Sequence, residues 1–246
     1  MQLKRQQKGF TLVEIAVVLV IIGLLLGGVL KGQELIASAR VRNMADQQAG
    51  IQAAFYGFQD RYRAVPGDMT ATAASNAIGQ SVTLGANPPS GSAPFSDGQL
   101  SAPSASGAVW QELNGVWEQL SKAGFIKGSY DGSNGTAPPD STDGPINVFN
   151  GQLIMARHAG YQDTGTAAAR LVLHLGRNVP VDIARELDTK LDDGQPQTGT
   201  LRNATQGSEA FESGSSSPAC VGISGGPTNA WNIAGDAQDC NPTYLF

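Results

Sequence analysis

The stretch from Phe10 to Leu30, FTLVEIAVVLVIIGLLLGGVL, constrains this chain more than any other. At about 1.5 Å per residue it makes a helix long enough for the roughly 30 Å hydrocarbon core of a bilayer. A core helix of a water-soluble domain would carry a polar stripe, and this run has none. Lys4, Arg5 and Lys8 precede it, with no acid among residues 1–9. By the positive-inside rule these bases hold that end on the cytoplasmic side. Within the run stands one charge, Glu14. A carboxylate at such a depth costs about 2.5–3.5 kcal/mol on insertion scales, so it calls for a partner and is a functional residue by default.

Composition sharpens the asymmetry. The 246 residues hold 16 bases and 21 acids, a net charge of −5, which argues against a general nucleic-acid binder. Without the three leading bases the remaining 13 face 21 acids, a net of −8. A conventional secretory signal fits the N-terminus poorly. The apolar run is long for such a signal, and the nearest small-x-small site, Ala37-Ser38-Ala39, lies beyond Lys31 and Glu34.

The segment Lys8-Gly9-Phe10-Thr11-Leu12-Val13-Glu14 resembles the class III signal of type IV pilins and of the pseudopilins of type II secretion. The likeness is close over residues 4 to about 35. It implies that a membrane-embedded prepilin peptidase cuts between Gly9 and Phe10 and methylates the new amine of Phe10. It also implies that Glu14, fifth in the mature chain, pairs with the Phe10 ammonium of a neighbouring subunit during assembly. Electrostatics supports that role, because a buried carboxylate and a buried ammonium each cost far more alone than together.

Beyond the apolar run, Met44, Ile51, Phe55, Phe58 and Tyr62 fall on one helical face. No proline interrupts the chain until Pro66-Gly67, so the spacing predicts one helix from Phe10 to about Arg63, roughly 80 Å long. Gly23, Gly27, Gly28 and Gly32 weaken its first half by up to about 1 kcal/mol each relative to Ala, which suits close helix packing. Residues 70–108, rich in Ala, Ser, Gly and Pro, read as a surface excursion. Trp110, Leu113, Trp117 and Leu120 predict a short amphipathic helix stopped at Gly124, with both tryptophans in the core. Residues 129–145 are turn-forming. Strands are expected at 146–149 with 152–157, at 170–175 and at 179–181, and a second short helix over 181–191. Tyr62–Asp68 and Trp110–Gly128 resemble segments of pilin-like proteins with enlarged heads.

The head offers little for catalysis. His158 and His174 belong to no catalytic motif, and the alternation around His174 marks it as structural. There is no GxSxG, HExxH, P-loop or CxxC. Asp188, Asp192 and Asp193 form one acidic cluster at a turn, where oxygen ligands suit calcium. Its spacing matches no EF-hand loop, and a helix C-terminus repels acids, so a solvated turn is the simpler expectation. No other cofactor is expected. Cys220 and Cys240 are the only cysteines. Outside the cytoplasm they can close a loop worth about 3 kcal/mol on the chain-entropy model, free buried thiols being the alternative. The pair looks like the C-terminal disulfide loop of type IV pilins.

The expected fold is therefore α+β: a long N-terminal helical spine packed on an antiparallel sheet, pilin-like, with loop insertions. The expected organisation is a cleaved leader at 1–9, a membrane and assembly segment at 10–34, and a periplasmic or extracellular head at 35–246. The resemblance implies a non-enzymatic filament subunit, either a minor or an elaborated major pilin. A type II secretion pseudopilin is the alternative, and a membrane-anchored binding protein or enzyme a more distant one. Implied partners are other pilins, the prepilin peptidase, the inner-membrane assembly platform and the membrane itself; nothing selects for or against nucleic acid.

Overall fold

A run of 51 residues without proline, Leu12–Tyr62, forms helix α1 in the computed structural model. The structure describes residues 11–85, 97–100, 108–132, 141–205, 220–222 and 230–246. The chain divides into two compact units, one ending at Arg40 and the other beginning at Val41. In the first, every residue from 11 to 31 is exposed. In the second, α1 buries Val41, Met44, Gln48, Ile51, Ala54, Phe55 and Phe58. These seven extend the face read from the sequence by one turn and include one polar member.

Gln48 is tolerated in the core because it is hydrogen-bonded: it donates to Gln52, which donates in turn to the Tyr244 hydroxyl, each at 3.3 Å. This chain of amides ties α1 to a four-stranded antiparallel sheet of β1 (Ile154–His158), β2 (Arg170–His174), β3 (Leu201–Asn203) and β4 (Pro242–Leu245), in the order β1-β2-β4-β3. The C-terminal strand is thus inserted between β2 and β3. Phe246, just past it, packs its ring against Phe55 at 5.5 Å and Tyr56 at 6.0 Å, so the chain's last residue closes onto the spine.

Helix α2 (Ala71–Ile78) lies inside the 70–108 stretch, whose composition predicts a surface excursion. Its signals are present: Thr70 caps the N-terminus by accepting from Ala73 N, and Gly79 ends it with φ 79°. Helix α3 (Ala108–Lys122) buries Trp110, Leu113, Trp117 and Leu120 as the spacing predicts. It ends in a Schellman motif, with Gly124 at φ 79°, Gly124 N bonded to Ser121 O and Phe125 N to Leu120 O. Phe125 then stacks on Phe58 and Tyr62 of α1.

The polar side of α3 is buried too. Glu118 accepts from the amides of Thr83 and Leu84 and from Lys122 Nζ, while Gln119 accepts from Gly67 N and donates to Met69 O and Leu84 O. That grip supplies backbone partners to the irregular segments on either side of α2, at Gly67, Met69, Thr83 and Leu84.

Two expectations for the head need revision. Residues 146–149 form no strand; a single bridge joins Ile146 to Gln152. Residues 179–181 give one bridge, Val179 to Cys240, and Val181 already opens helix α4 (Val181–Leu191). The pairing partners of β2 come instead from β1 and from β4, which is only four residues long and begins with a proline.

Candidate functional site

At the start of α1 the side chain of Glu14 turns back on the helix end. Its Oε2 accepts from Thr11 N at 2.8 Å and from Thr11 Oγ1 at 2.7 Å, while Glu14 N donates to Thr11 Oγ1 at 3.3 Å. This is a capping box, in which a Thr and a Glu three residues on satisfy one another's orphan donors. The pattern Thr11-x-x-Glu14 was legible, yet sequence reasoning assigned Glu14 to intersubunit pairing alone. The carboxylate sits among exposed apolar neighbours, with Leu12 at 90% and Val13 at 71% exposure. Two donors from Thr11 reduce its desolvation cost without removing its charge, so a cation is still demanded wherever water is excluded. Gly9, Phe10 and the basic leader lie outside the described residues. The apolar part of α1 is long enough to cross a membrane by length and composition, and it ends at an exposed pair, Lys31 to Glu34 at 2.7 Å.

In the head, Cys220 and Cys240 are joined by a disulfide with a Cα–Cα distance of 5.7 Å. Both cysteines belong to short pairings. Cys240 exchanges two backbone hydrogen bonds with Val179, and Asn232 N donates to Cys220 O at 2.9 Å. Next to Cys220, Val221 bridges to Trp231, whose ring is buried. The staple therefore holds the end of the central β2–β4 pair and the indole together.

Trp231 leads to the acidic turn. Its Nε1 donates to Asp188 Oδ2 at 2.8 Å, and Asp188 is fully buried near the end of α4. Asp188, Asp192 and Asp193 each bring a carboxylate oxygen within 4.8 Å of the others. Most of their acceptors are already engaged by the chain. Asp192 Oδ2 accepts from Thr200 N and Leu201 N; Asp193 accepts from Gln195 N at 2.9 Å and Thr198 Oγ1 at 2.5 Å. Asp192 thus closes the turn onto β3 through backbone donors, while Asp188 Oδ1 is buried with no hydrogen-bond partner among the described residues. Burial pushes the Asp188 carboxyl up to about 6, the Trp231 bond opposes it, and repulsion from Asp193 and Asp192 adds to the rise. Sequence spacing revealed the three acids but not the indole that anchors one of them.

His158 and His174 are brought together inside the sheet, their Nε2 atoms 2.7 Å apart. Nothing in the sequence linked two histidines 16 residues apart.

Residues 4–30 match the family model described as a prokaryotic N-terminal methylation motif. No curated protein and no solved structure matches the chain. The chain therefore carries the prepilin-type signal of type IV pilins and pseudopilins. That signal implies processing by a prepilin peptidase and polymerisation with other pilins. With the apolar helix, it is consistent with a membrane-anchored pilin.

Proposed function

We propose that this chain is a minor or elaborated major subunit of a type IV pilus-like filament, inserted in the bacterial inner membrane with its head in the periplasm. The observation that carries the reading is the continuity between the methylation motif at residues 4–30 and a helix running to Tyr62. Cleavage between Gly9 and Phe10 would free an ammonium next to the capping box. Glu14 would then exchange part of its bonding to Thr11 for the Phe10 amine of a neighbour, relieving two buried charges in one step. The assembly platform supplies extraction from the membrane. The head carries the surface property of the filament, and its work is structural rather than catalytic. We assign it no cofactor and read the acidic turn as a backbone closure.

Mass spectrometry of the mature subunit tests the proposal. An N-methylated Phe10 is the expected N-terminus; retention of Gly9, or cleavage near Ala39, overturns it. Glu14→Ala should leave cleavage intact and abolish incorporation into filaments. The alternative, a type II secretion pseudopilin, shares the processing and predicts a subunit confined to the periplasm, whereas the pilus reading predicts its recovery from filaments sheared off the cell surface.

A further inference from the structure

The register of the sheet places His158 opposite Arg170 and His174 opposite Ile154, with the Ala156–Val172 pair between them. Both imidazoles therefore reach toward each other along one face, over the smallest side chain of β1. Every nitrogen of the two rings is engaged. Gly160 N–H donates to His158 Nδ1 at 2.9 Å, which leaves the proton of a neutral His158 on Nε2. That proton is shared with His174 Nε2 at 2.7 Å, so His174 carries its own on Nδ1 and donates to Thr243 Oγ1 at 2.8 Å. The threonine hydroxyl points on to Asn241 O at 3.3 Å. Both tautomers follow from the donor at one end and the hydroxyl at the other.

Three gaps separate Gly160 N, the two rings and Thr243 Oγ1, and three hydrogens fill them. A further proton on either ring must enter a gap that already holds one, setting two donors face to face. Burial works in the same direction. It holds His158 down at about 4, and it lowers His174 well below the ordinary value, with repulsion from His158 adding to the effect. Among the described residues, the charged groups around the pair include Arg170 across from His158, Arg202 of β3 across from Thr243, and Asp163 of the β1–β2 connection, which is ion-paired with Arg202. Both arginines act on the Asp163 carboxylate, so that acid is already occupied.

Through Gly160 the pair also touches the 159–169 connection, which further contacts hold against the sheet. Tyr161 of this connection is buried on Val172 and Leu245, and its hydroxyl donates to Ala168 O at 2.6 Å. Gln162 N donates to Asn203 O and Thr205 N to Gly160 O, so Gly160 joins the histidine chain to the edge of β3.

We propose that the neutral His158–His174 pair is an acid-released latch, which closes the 159–169 connection over the Tyr161, Val172 and Leu245 face and opens when one ring is protonated. The opposite side of the sheet, where Tyr244 meets α1 through Gln52, has no imidazole and stays closed. The latch stands apart from the filament reading, because no part of it involves α1 or the methylation motif.

Hydrogen exchange on the full chain in detergent micelles tests it, comparing pH 7.5 with progressively lower pH after correction for intrinsic exchange chemistry. Peptides covering 158–172 and 241–245 should lose protection about tenfold per pH unit as pH falls below about 6.5, where an opened histidine takes up a proton that the closed pair refuses, while peptides of α3 keep theirs. Protection of the β1–β2 peptides that tracks α3 at every pH overturns the proposal. So does persistence of the acid step in a folded His158→Gln, His174→Gln double variant. Should that variant not fold, exchange at the histidine C2 positions of the unaltered chain reads both rings directly: titration well below 6.5 together with loss of β1–β2 protection supports the latch, and a ring titrating near 6.5 while the sheet stays protected overturns it.

Discussion

The two halves of α1 are one helix built for two surroundings. From Leu12 to Lys31 every side chain is exposed, large aliphatic groups such as Leu24 at 73% and Leu30 at 67% included. From Val41 onward the helix contributes seven buried residues, two of them phenylalanines. The first half gains nothing from this chain's own fold; a bilayer or neighbouring helices must supply the burial. The second half is rewarded by its own sheet and by α3. Hydrophobicity is higher where no internal partner exists, so in this molecule an apolar run reports on the surroundings of a segment rather than on its core.

Truncation inside each half separates the two roles most strongly. Phe58 is fully buried, with Tyr62 at 4.6 Å and Phe125 at 6.0 Å between ring centroids. Phe58→Ala should lower head stability by about 3–5 kcal/mol, and Leu24→Ala should leave it within about 0.5 kcal/mol. Denaturant unfolding in micelles, followed by near-ultraviolet dichroism of the head tryptophans, measures both. Comparable losses for the two would mean that the apolar half is part of the head's cooperative unit.

Next in size is the disulfide. Opening the Cys220–Cys240 loop with a Cys220→Ser, Cys240→Ser variant should cost about 3 kcal/mol on the chain-entropy model, with no effect on membrane partitioning by the apolar half. Trp231 fluorescence distinguishes two outcomes. A red shift means that the staple holds the indole in place; unchanged emission means that the Asp188 bond and the Val221 pairing suffice.

Within the head, the acidic turn and the histidine latch respond to acid with opposite signs. The Asp188 carboxyl is raised to about 6 from its ordinary 3.8, so the folded state holds a proton more tightly than the unfolded one, and stability rises as pH falls from about 6 toward 4. The histidines are lowered, so the folded state refuses a proton that the unfolded chain takes up near 6.5, and stability falls over nearly the same window. Asp188→Asn keeps an acceptor for Trp231 and removes the buried charge. At pH 7.5 it should raise stability, with the roughly 3 kcal/mol linkage value of a shift this size as the upper bound, and below pH 6 it should leave the histidine-driven loss unopposed. Thermal melts across pH 4 to 8 read both effects. A calcium-dependent loss of stability in this variant would instead assign the turn to a cation.

What the sequence made legible follows from how local each signal is. The spine, the α3 stripe and the Gly124 stop were readable because each rests on residues within a few turns of one another. The α2 caps at Thr70 and Gly79 were equally local and were masked by the Ala, Ser and Pro content around them. Half of the sheet was legible, since β1 and β2 fall on the expected 152–157 and 170–175; β3 and β4 are three and four residues long, and β4 joins two strands far apart in the chain. The contacts that position the candidate sites are long-range in the same way, Trp231 to Asp188 and His158 to His174. The Thr11–Glu14 capping box is as local as the α2 caps, its signature being a threonine three residues before a glutamate.

The smallest predicted effect bears most directly on the contrast between the halves of α1, because it uses the same substitution in each. A methyl added at Gly27 meets nothing within 4 Å, whereas one added at Gly57 lies 2.8 Å from the Phe125 ring. Both replacements gain up to about 1 kcal/mol of helix propensity. At Gly27 that gain is unopposed in the single chain, so Gly27→Ala should increase helicity without altering the head, and should weaken filaments if a neighbouring helix packs there. At Gly57 the ring must move, and Phe125 is pinned by the Schellman turn behind it and by Phe58 and Tyr62 beside it. Overpacking of this kind typically costs 1–3 kcal/mol, so Gly57→Ala should be net destabilising by about 1 kcal/mol. A rise in head stability for Gly57→Ala would show that Phe125 yields freely and that the second half of α1 is packed no more tightly than the first.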